Sequence, residues 1–243
     1  MAIDIGSNLR AESVTRWQSG LDRLIVLLPM DVSDSPALAH SRTILESRSH
    51  LRLLVLGDSV AVGMSAGRYY TCFAWLWANY LRQKYEAPVH LINESTAGRT
   101  SADGVRLAEF AAREYQPDQA LIAFGLNDQR LREPRRSRPW TWRSAQQVPP
   151  DQFRANMARV ADRLRRRAGA DIVLVTPCLL PGLEENETYR MTLVSMAERN
   201  GYALADVGGA WPADGSVLLA PDGLHPNDSG HLVYVETLKD LGL

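Results

Sequence analysis

Four short stretches of the chain carry residues able to do covalent chemistry at a carbonyl carbon. They are Gly57-Asp58-Ser59, Asn93-Glu94-Ser95-Thr96-Ala97-Gly98, Gly125-Leu126-Asn127-Asp128 and Asp222-Gly223-Leu224-His225-Pro226-Asn227. Together they supply hydroxyls, glycine turns, carboxamides and an Asp/His pair. Acyl transfer asks for that inventory: a nucleophile, donors for an oxyanion, a base, and a carboxylate that orients the base.

The elements that must position them alternate along the chain. Leu53–Leu56, Val89–Ile92, Ala120–Phe124 and Ile172–Val175 are continuous apolar runs, and Ala203–Ala205 is a shorter one. Unbroken apolarity suits strands covered on both faces, as in a parallel sheet. Between them lie helix-period segments. Phe153, Met157, Val160, Ala161 and Leu164 fall on one helix face, with Asp151 expected as the cap. Tyr189, Leu193, Met196 and Ala197 repeat the spacing after Asn186, and Leu232, Val235 and Leu238 do so after Asp228. This alternation predicts an α/β class fold, a doubly wound sandwich with a five-stranded parallel sheet and right-handed crossovers. In such a sheet, ligands bind beyond the carboxyl ends of the strands. Three of the four stretches directly follow a predicted strand, and the fourth precedes the last helix.

With four blocks in that order over residues 57–227, the sequence resembles the SGNH (GDSL) hydrolase family of serine esterases and lipases, nearest its bacterial acyl-thioesterase and lysophospholipase branch. The resemblance implies a three-layer, flavodoxin-like α/β/α sandwich and a serine esterase that needs no cofactor. It assigns the nucleophile to Ser59, whose hydroxyl lies where a strand turns into a helix, near amides that favour an anion. The implied oxyanion hole is the Ser59 and Gly98 backbone N–H groups with the Asn127 side-chain amide. His225 is then the base that takes and returns the Ser59 proton, and Asp222, three residues earlier, holds its other ring nitrogen.

Other residues have plainer readings. Asp58 is expected to be a turn carboxylate, and Ser95 and Ser101 to hydrogen-bond loop backbone. His40, His50, His90 and His231 are read as structural or exposed. Gly63-Met64-Ser65-Ala66-Gly67 matches the G-x-S-x-G nucleophile elbow, which requires a strand running straight into the serine. The preceding strand ends at Leu56, so Ser65 is read as a loop or helix-start serine. No His-x-x-x-His, paired cysteines or acidic cluster offers a metal site, and no phosphate-binding glycine loop follows a strand.

Composition bounds the rest. The 243 residues are 45% apolar and 23% charged, which excludes collagen-like and disordered classes. With 27 basic and 28 acidic residues, no field recruits nucleic acid or an anionic membrane. Cys72 and Cys178 sit in apolar surroundings and are expected as reduced core thiols. No basic start precedes an apolar run at the N-terminus, and the longest such run, Leu24 to Met30, is too short to span a bilayer. A cytoplasmic protein without stable membrane insertion is the expectation. Residues 1–50 read as an N-terminal extension packed on the core, and 51–243 as the hydrolase domain.

Two connections are candidates for substrate contact. Pro177 to Leu183 is apolar, and Leu179 and Leu180 are expected to face an acyl chain or simply to pack beneath the loop. The long Arg/Trp-rich connection 129–150 follows Asn127, so Trp140 and Trp142 are expected near the same edge. The favoured partner is a small-molecule ester or thioester. A carbohydrate O-deacetylase, an acyltransferase built on the same residues, and a non-catalytic binding protein are the other readings.

Overall fold

The structure, a computed structural model, describes residues 35–132, 145–146, 148–180 and 186–243. Its strands are β1 (Leu51–Gly57), β2 (Val89–Asn93), β3 (Gln119–Ala123), β4 (Leu131–Arg132), β5 (Ala145–Gln146), β6 (Asp171–Val175) and β7 (Ala203–Ala205). Five of them form one parallel sheet in the order β2-β1-β3-β6-β7, and β4 and β5 pair as a small antiparallel ladder. The helices are α1 (Ala39–Glu46), α2 (Ser59–Val62), α3 (Phe73–Tyr85), α4 (Ser101–Tyr115), α5 (Pro150–Ala168), α6 (Asn186–Asn200), α7 (Val207–Ala210) and α8 (Asp228–Lys239). The expected doubly wound sandwich is therefore the observed fold.

Side chains alternate across a strand, which explains why the apolar runs are unbroken. Leu53 and Val55 of β1, Leu121 of β3 and Val173 of β6 join one core cluster, filled by Phe73, Trp77 and Leu81 of α3 and Tyr234 and Leu238 of α8. Leu54, Leu56, Ile122 and Leu174 point the other way, into a second cluster with Phe153, Met157, Val160 and Leu164 of α5 and Tyr189 and Leu193 of α6. Each fully buried Leu, Val or Phe contributes about 1.5–3 kcal/mol. Exposed ion pairs such as Arg48–Glu86 contribute roughly 0–1 kcal/mol. The two cores fix the sheet, and the surface charges do not.

Some local expectations change. The helix expected to be capped by Asp151 starts at Pro150 after Pro149, with no side-chain cap. Proline at the first helical position has no orphan N–H there, and its fixed φ is already helical, which starts the helix without a side-chain cap. Asp151 lies in that first turn, 3.2 Å from Arg154. Residues 36–46, part of the stretch expected as an N-terminal extension, bury Leu38 and Leu45 in the α3/α8-side cluster. The Ser41 N–H also donates to Asp171 at 2.7 Å. Residues 1–34 lie outside the described residues.

The strand order reverses between β1 and β3, and the crevice beyond their carboxyl ends is where such sheets bind ligands. Gly57 closes β1 at this point. A Cβ there would sit 2.6 Å from the Ala61 Cβ and 2.7 Å from the Ala123 carbonyl oxygen. Neither atom can swing away. Gly57→Ala is expected to lose about 1–3 kcal/mol in urea unfolding, the usual cost of overpacking. A variant with wild-type stability would show that this corner has slack.

Candidate active site

Asp58 starts α2 by accepting the Val60 N–H on its carboxylate at 3.0 Å. The short helix ends at Gly63, whose φ of +89° is the left-handed conformation that stops it. Ser59 occupies the first position of α2, buried but at the crevice. Its Oγ lies 2.9 Å from Nε2 of His225, a residue 166 positions away.

His225 is held by the turn before it. Its Nδ1 lies 2.7 Å from Asp222 Oδ2. The other carboxylate oxygen accepts the Leu224 and His225 backbone N–H groups at 2.9 and 3.0 Å. This reversal requires Gly223 at φ +65°, where nothing crowds a Cβ and the backbone conformation alone favours glycine. The hydrogen bond from the His225 ring, then those two N–H groups, hold the Asp222 carboxyl well below the usual carboxylate range. An ionised Asp222 fixes the proton on Nδ1, so Nε2 presents its lone pair and accepts from Ser59. The rest of the loop is pinned by backbone: Ala220 N–H donates to the His225 carbonyl at 2.8 Å, and Asn227 caps α8 through Gly230 N–H at 3.0 Å.

The residues expected to cradle an anion lie on the two loops beside Ser59. Gly98 adopts φ +79° with open space around its α-carbon, so a substrate can approach its backbone. Asn127 is buried, and its side-chain amide donates to the Arg99 carbonyl at 2.9 Å. A carboxamide has two N–H donors, so this bond fixes its plane and leaves the second donor.

A neighbouring network ties those two loops together. Asp128 is fully buried and accepts the Ser101 N–H at 3.0 and 3.1 Å and the Ser101 hydroxyl at 2.5 Å. Asn156 Nδ2 in turn donates to Ser101 Oγ at 3.0 Å. Ser101 was expected to bond loop backbone, yet its hydroxyl partners are side chains. Ser95 was expected to do the same, but its buried hydroxyl has no hydrogen-bond partner. Sequence spacing carries no sign of the Asp128–Ser101 link, because tertiary packing makes it.

The other expected residues fall as follows. Leu180 is buried within the α3/α8-side cluster and Leu179 packs against it. A Cβ on Gly208 would meet the Leu179 Cδ2 at 3.4 Å, so both leucines are engaged by the protein itself. Trp140 and Trp142 lie outside the described residues. Ser65 follows the end of α2 with φ +64°, and its hydroxyl is 3.4 Å from Asp222 Oδ2. Cys72 and Cys178 are buried and unpaired. Among the described residues no group of three His, Cys, Asp or Glu is placed to hold a metal ion, and no helix is long and apolar enough to cross a membrane.

The family model of GDSL-like lipases and acylhydrolases matches residues 55–233, which contain all the positions above. The chain belongs to this family. Thioesterase 1/protease 1/lysophospholipase L1 of Escherichia coli K12 is 30% identical over 76 residues, 31% of this chain. That match spans only about a third, 34%, of the relative's length. GDSL lipase Rv0518 of Mycobacterium tuberculosis is 26% identical over 199 residues, covering 77% of this chain and 79% of the relative. The crystal structure of TesA superposes with a TM-score of 0.63 at 23% identity, over 78% of this chain and 97% of that one. At that identity the superposition bears on the fold, and it agrees with the sheet described above.

Asp58 gives a test in solution. Burial first, opposed by the Val60 N–H, pushes its carboxyl up to about 7 from an ordinary 3.8. Between those values the folded chain holds a proton that the unfolded chain has released, so this group's contribution to stability is lost as pH rises. Asp58→Asn keeps an oxygen for Val60 and has nothing to ionise. Its urea midpoint relative to wild type is expected to climb from pH 4 to pH 8. A constant difference across that range would contradict a carboxyl that ionises late.

Proposed function

We propose that this GDSL-like chain is a serine hydrolase that cleaves carboxylic ester or thioester bonds of small-molecule substrates through an acyl-Ser59 intermediate. The observation that carries the reading is the unbroken relay from Ser59 Oγ to His225 Nε2 and from His225 Nδ1 to Asp222, at 2.9 and 2.7 Å. As Ser59 Oγ bonds to the acyl carbon, its proton passes to His225 Nε2, and the negative Asp222 stabilises the imidazolium that forms. The Ser59 and Gly98 backbone N–H groups and the free donor of Asn127 receive the oxyanion. Collapse breaks the bond to the leaving alcohol or thiol, which takes the proton from His225. Water then attacks the acyl-Ser59 carbonyl, gives a proton to His225, and releases the carboxylic acid while Ser59 recovers its hydrogen. The two unpaired cysteines suit a reducing compartment such as the cytoplasm, which we include in the proposal.

A fluorophosphonate probe is expected to label wild type, and Ser59→Ala is expected to abolish labelling. Labelling that persists, or that maps to Ser65, overturns the nucleophile assignment. Asn127→Ala is expected to lower turnover about 10²–10³-fold, the usual effect of losing one oxyanion donor. Unchanged turnover removes Asn127 from the mechanism. Nitrophenyl esters of increasing length, an acyl-CoA and acetylated sugars, assayed beside Ser59→Ala, sort the substrate class. Adding an alcohol acceptor and measuring transesterified product separates hydrolase from transferase.

A further inference from the structure

Residues 63–72 join the nucleophile's helix α2 to α3, yet they are fastened to the C-terminal segment that carries Asp222 and His225. Asp228, the first residue of α8, accepts the Gly67 N–H at 2.7 Å, and the same carboxylate oxygen lies 2.8 Å from the Thr71 hydroxyl, whose one proton it shares with the Arg68 carbonyl at 2.7 Å. Gly67 is there because a Cβ would lie 2.8 Å from the other oxygen of the same carboxylate. Two residues later in the chain than Thr71, the Phe73 N–H points to Nδ1 of buried His231, one turn along α8, at 3.4 Å. On the other side of Gly67, Ser65 is held in a left-handed conformation that a serine rarely adopts, with its hydroxyl 3.4 Å from the Asp222 oxygen that binds His225. Strain of that kind persists only where surrounding bonds impose it. Next to Ser65 the Met64 N–H donates to the Ser59 carbonyl at 2.9 Å and the Ala66 N–H to the Gly63 carbonyl at 3.1 Å, and the bonds to Asp228 fasten the residues that follow.

We infer that Asp228 is a positioning residue for the proposed triad: it fastens the 63–72 segment across the Asp222–His225 turn, so that the chain carrying Ser59 and the chain carrying its base are held in register. Asn227, not Asp228, caps α8. The Asp228 side chain is therefore spent on the strap rather than on its own helix. The Gly67 N–H, ahead of the Thr71 hydroxyl, also holds the Asp228 carboxyl below its ordinary range, as expected of an acceptor engaged in its charged form. A Ser59–His225 separation short enough for proton transfer tolerates little drift, because a displacement of about 1 Å can cost ~10²-fold in rate.

This inference rests on the proposed hydrolase reading, and the test separates the two. Wild type, Asp228→Ala, Asp228→Asn and Thr71→Val are compared by the rate constant of fluorophosphonate labelling and by kcat and KM on a nitrophenyl ester. Asp228→Ala and Thr71→Val are expected to fall about tenfold in labelling rate and kcat, with KM within about twofold of wild type. Asp228→Asn keeps an oxygen that accepts both bonds and is expected to stay within about threefold of wild type. Labelling of Asp228→Ala at the wild-type rate overturns the inference. So does an Asn variant as slow as the Ala variant, which would assign the effect to charge at the start of α8. A change in KM alone also overturns it, in favour of direct substrate contact by exposed Met64, Tyr69 and Tyr70. If Asp228→Ala does not fold, Thr71→Val decides by itself. If wild type is neither labelled nor active, the hydrolase reading fails instead.

Discussion

The contact on which the rest depends joins residues 166 positions apart, the Ser59 hydroxyl and the His225 ring. A net hydrogen bond contributes only about 0.5–1.5 kcal/mol, too little to draw such distant segments together. Packing has to do it. Ser59 is fixed because β1 runs inside the sheet, between β2 and β3, and stops at a glycine that admits no side chain. His225 is fixed because α8, immediately after it, buries Tyr234, Val235 and Leu238 in the same cluster as Phe73 and Trp77 of α3. The Ser59–His225 bond thus reports a geometry set by the apolar core.

Much of this was legible in the sequence, because the signals are local. A strand buried on both faces writes itself as an unbroken apolar run, and four such runs mark β1, β2, β3 and β6. Asp222 and His225 are three residues apart in one turn, a spacing that Asp228 and His231 repeat, so it is the company of the other three blocks that marks the pair. Two helices were harder to see. In α3, Phe73-Ala74-Trp75-Leu76-Trp77-Ala78 is so evenly apolar that its period is blurred. In α4 the buried face is made of Ser101, Gly104, Ala108, Ala111 and Ala112, which write almost no hydrophobic pattern. Gly104 is small because the Phe124 ring occupies the space a Cβ would need, 2.6 Å away. That requirement belongs to the fold and not to the neighbouring letters.

The site shows the same division. Block residues with a chemical role could be named from their order, whereas the groups that hold them could not. Asp128 and Ser101 are 27 residues apart and meet only because β3 and α4 deliver them to one place. Burying a carboxylate is costly, and burial first, against the Ser101 hydroxyl and N–H, pushes Asp128 up to about 6. With Asp58, the site keeps two carboxylates that burial makes reluctant to ionise, directly beside residues expected to stabilise negative charge. Leu179 and Leu180 make the complementary point. Apolar letters in a loop say that the segment avoids water, but a core and a ligand wall satisfy that equally well.

The chain leaves the Asn127 loop and comes back to it at nearly one point. Leu131 and Arg132 pair with Gln146 and Ala145, and the Val148 N–H returns to the Asp128 carbonyl at 3.1 Å. Tyr189 of α6 then clasps the Val148 carbonyl at 2.6 Å. These rungs tie the Asn127 loop down where the chain leaves it and where it returns, within the described residues. The carboxamide therefore has its own tether, anchored through Val148 to α6.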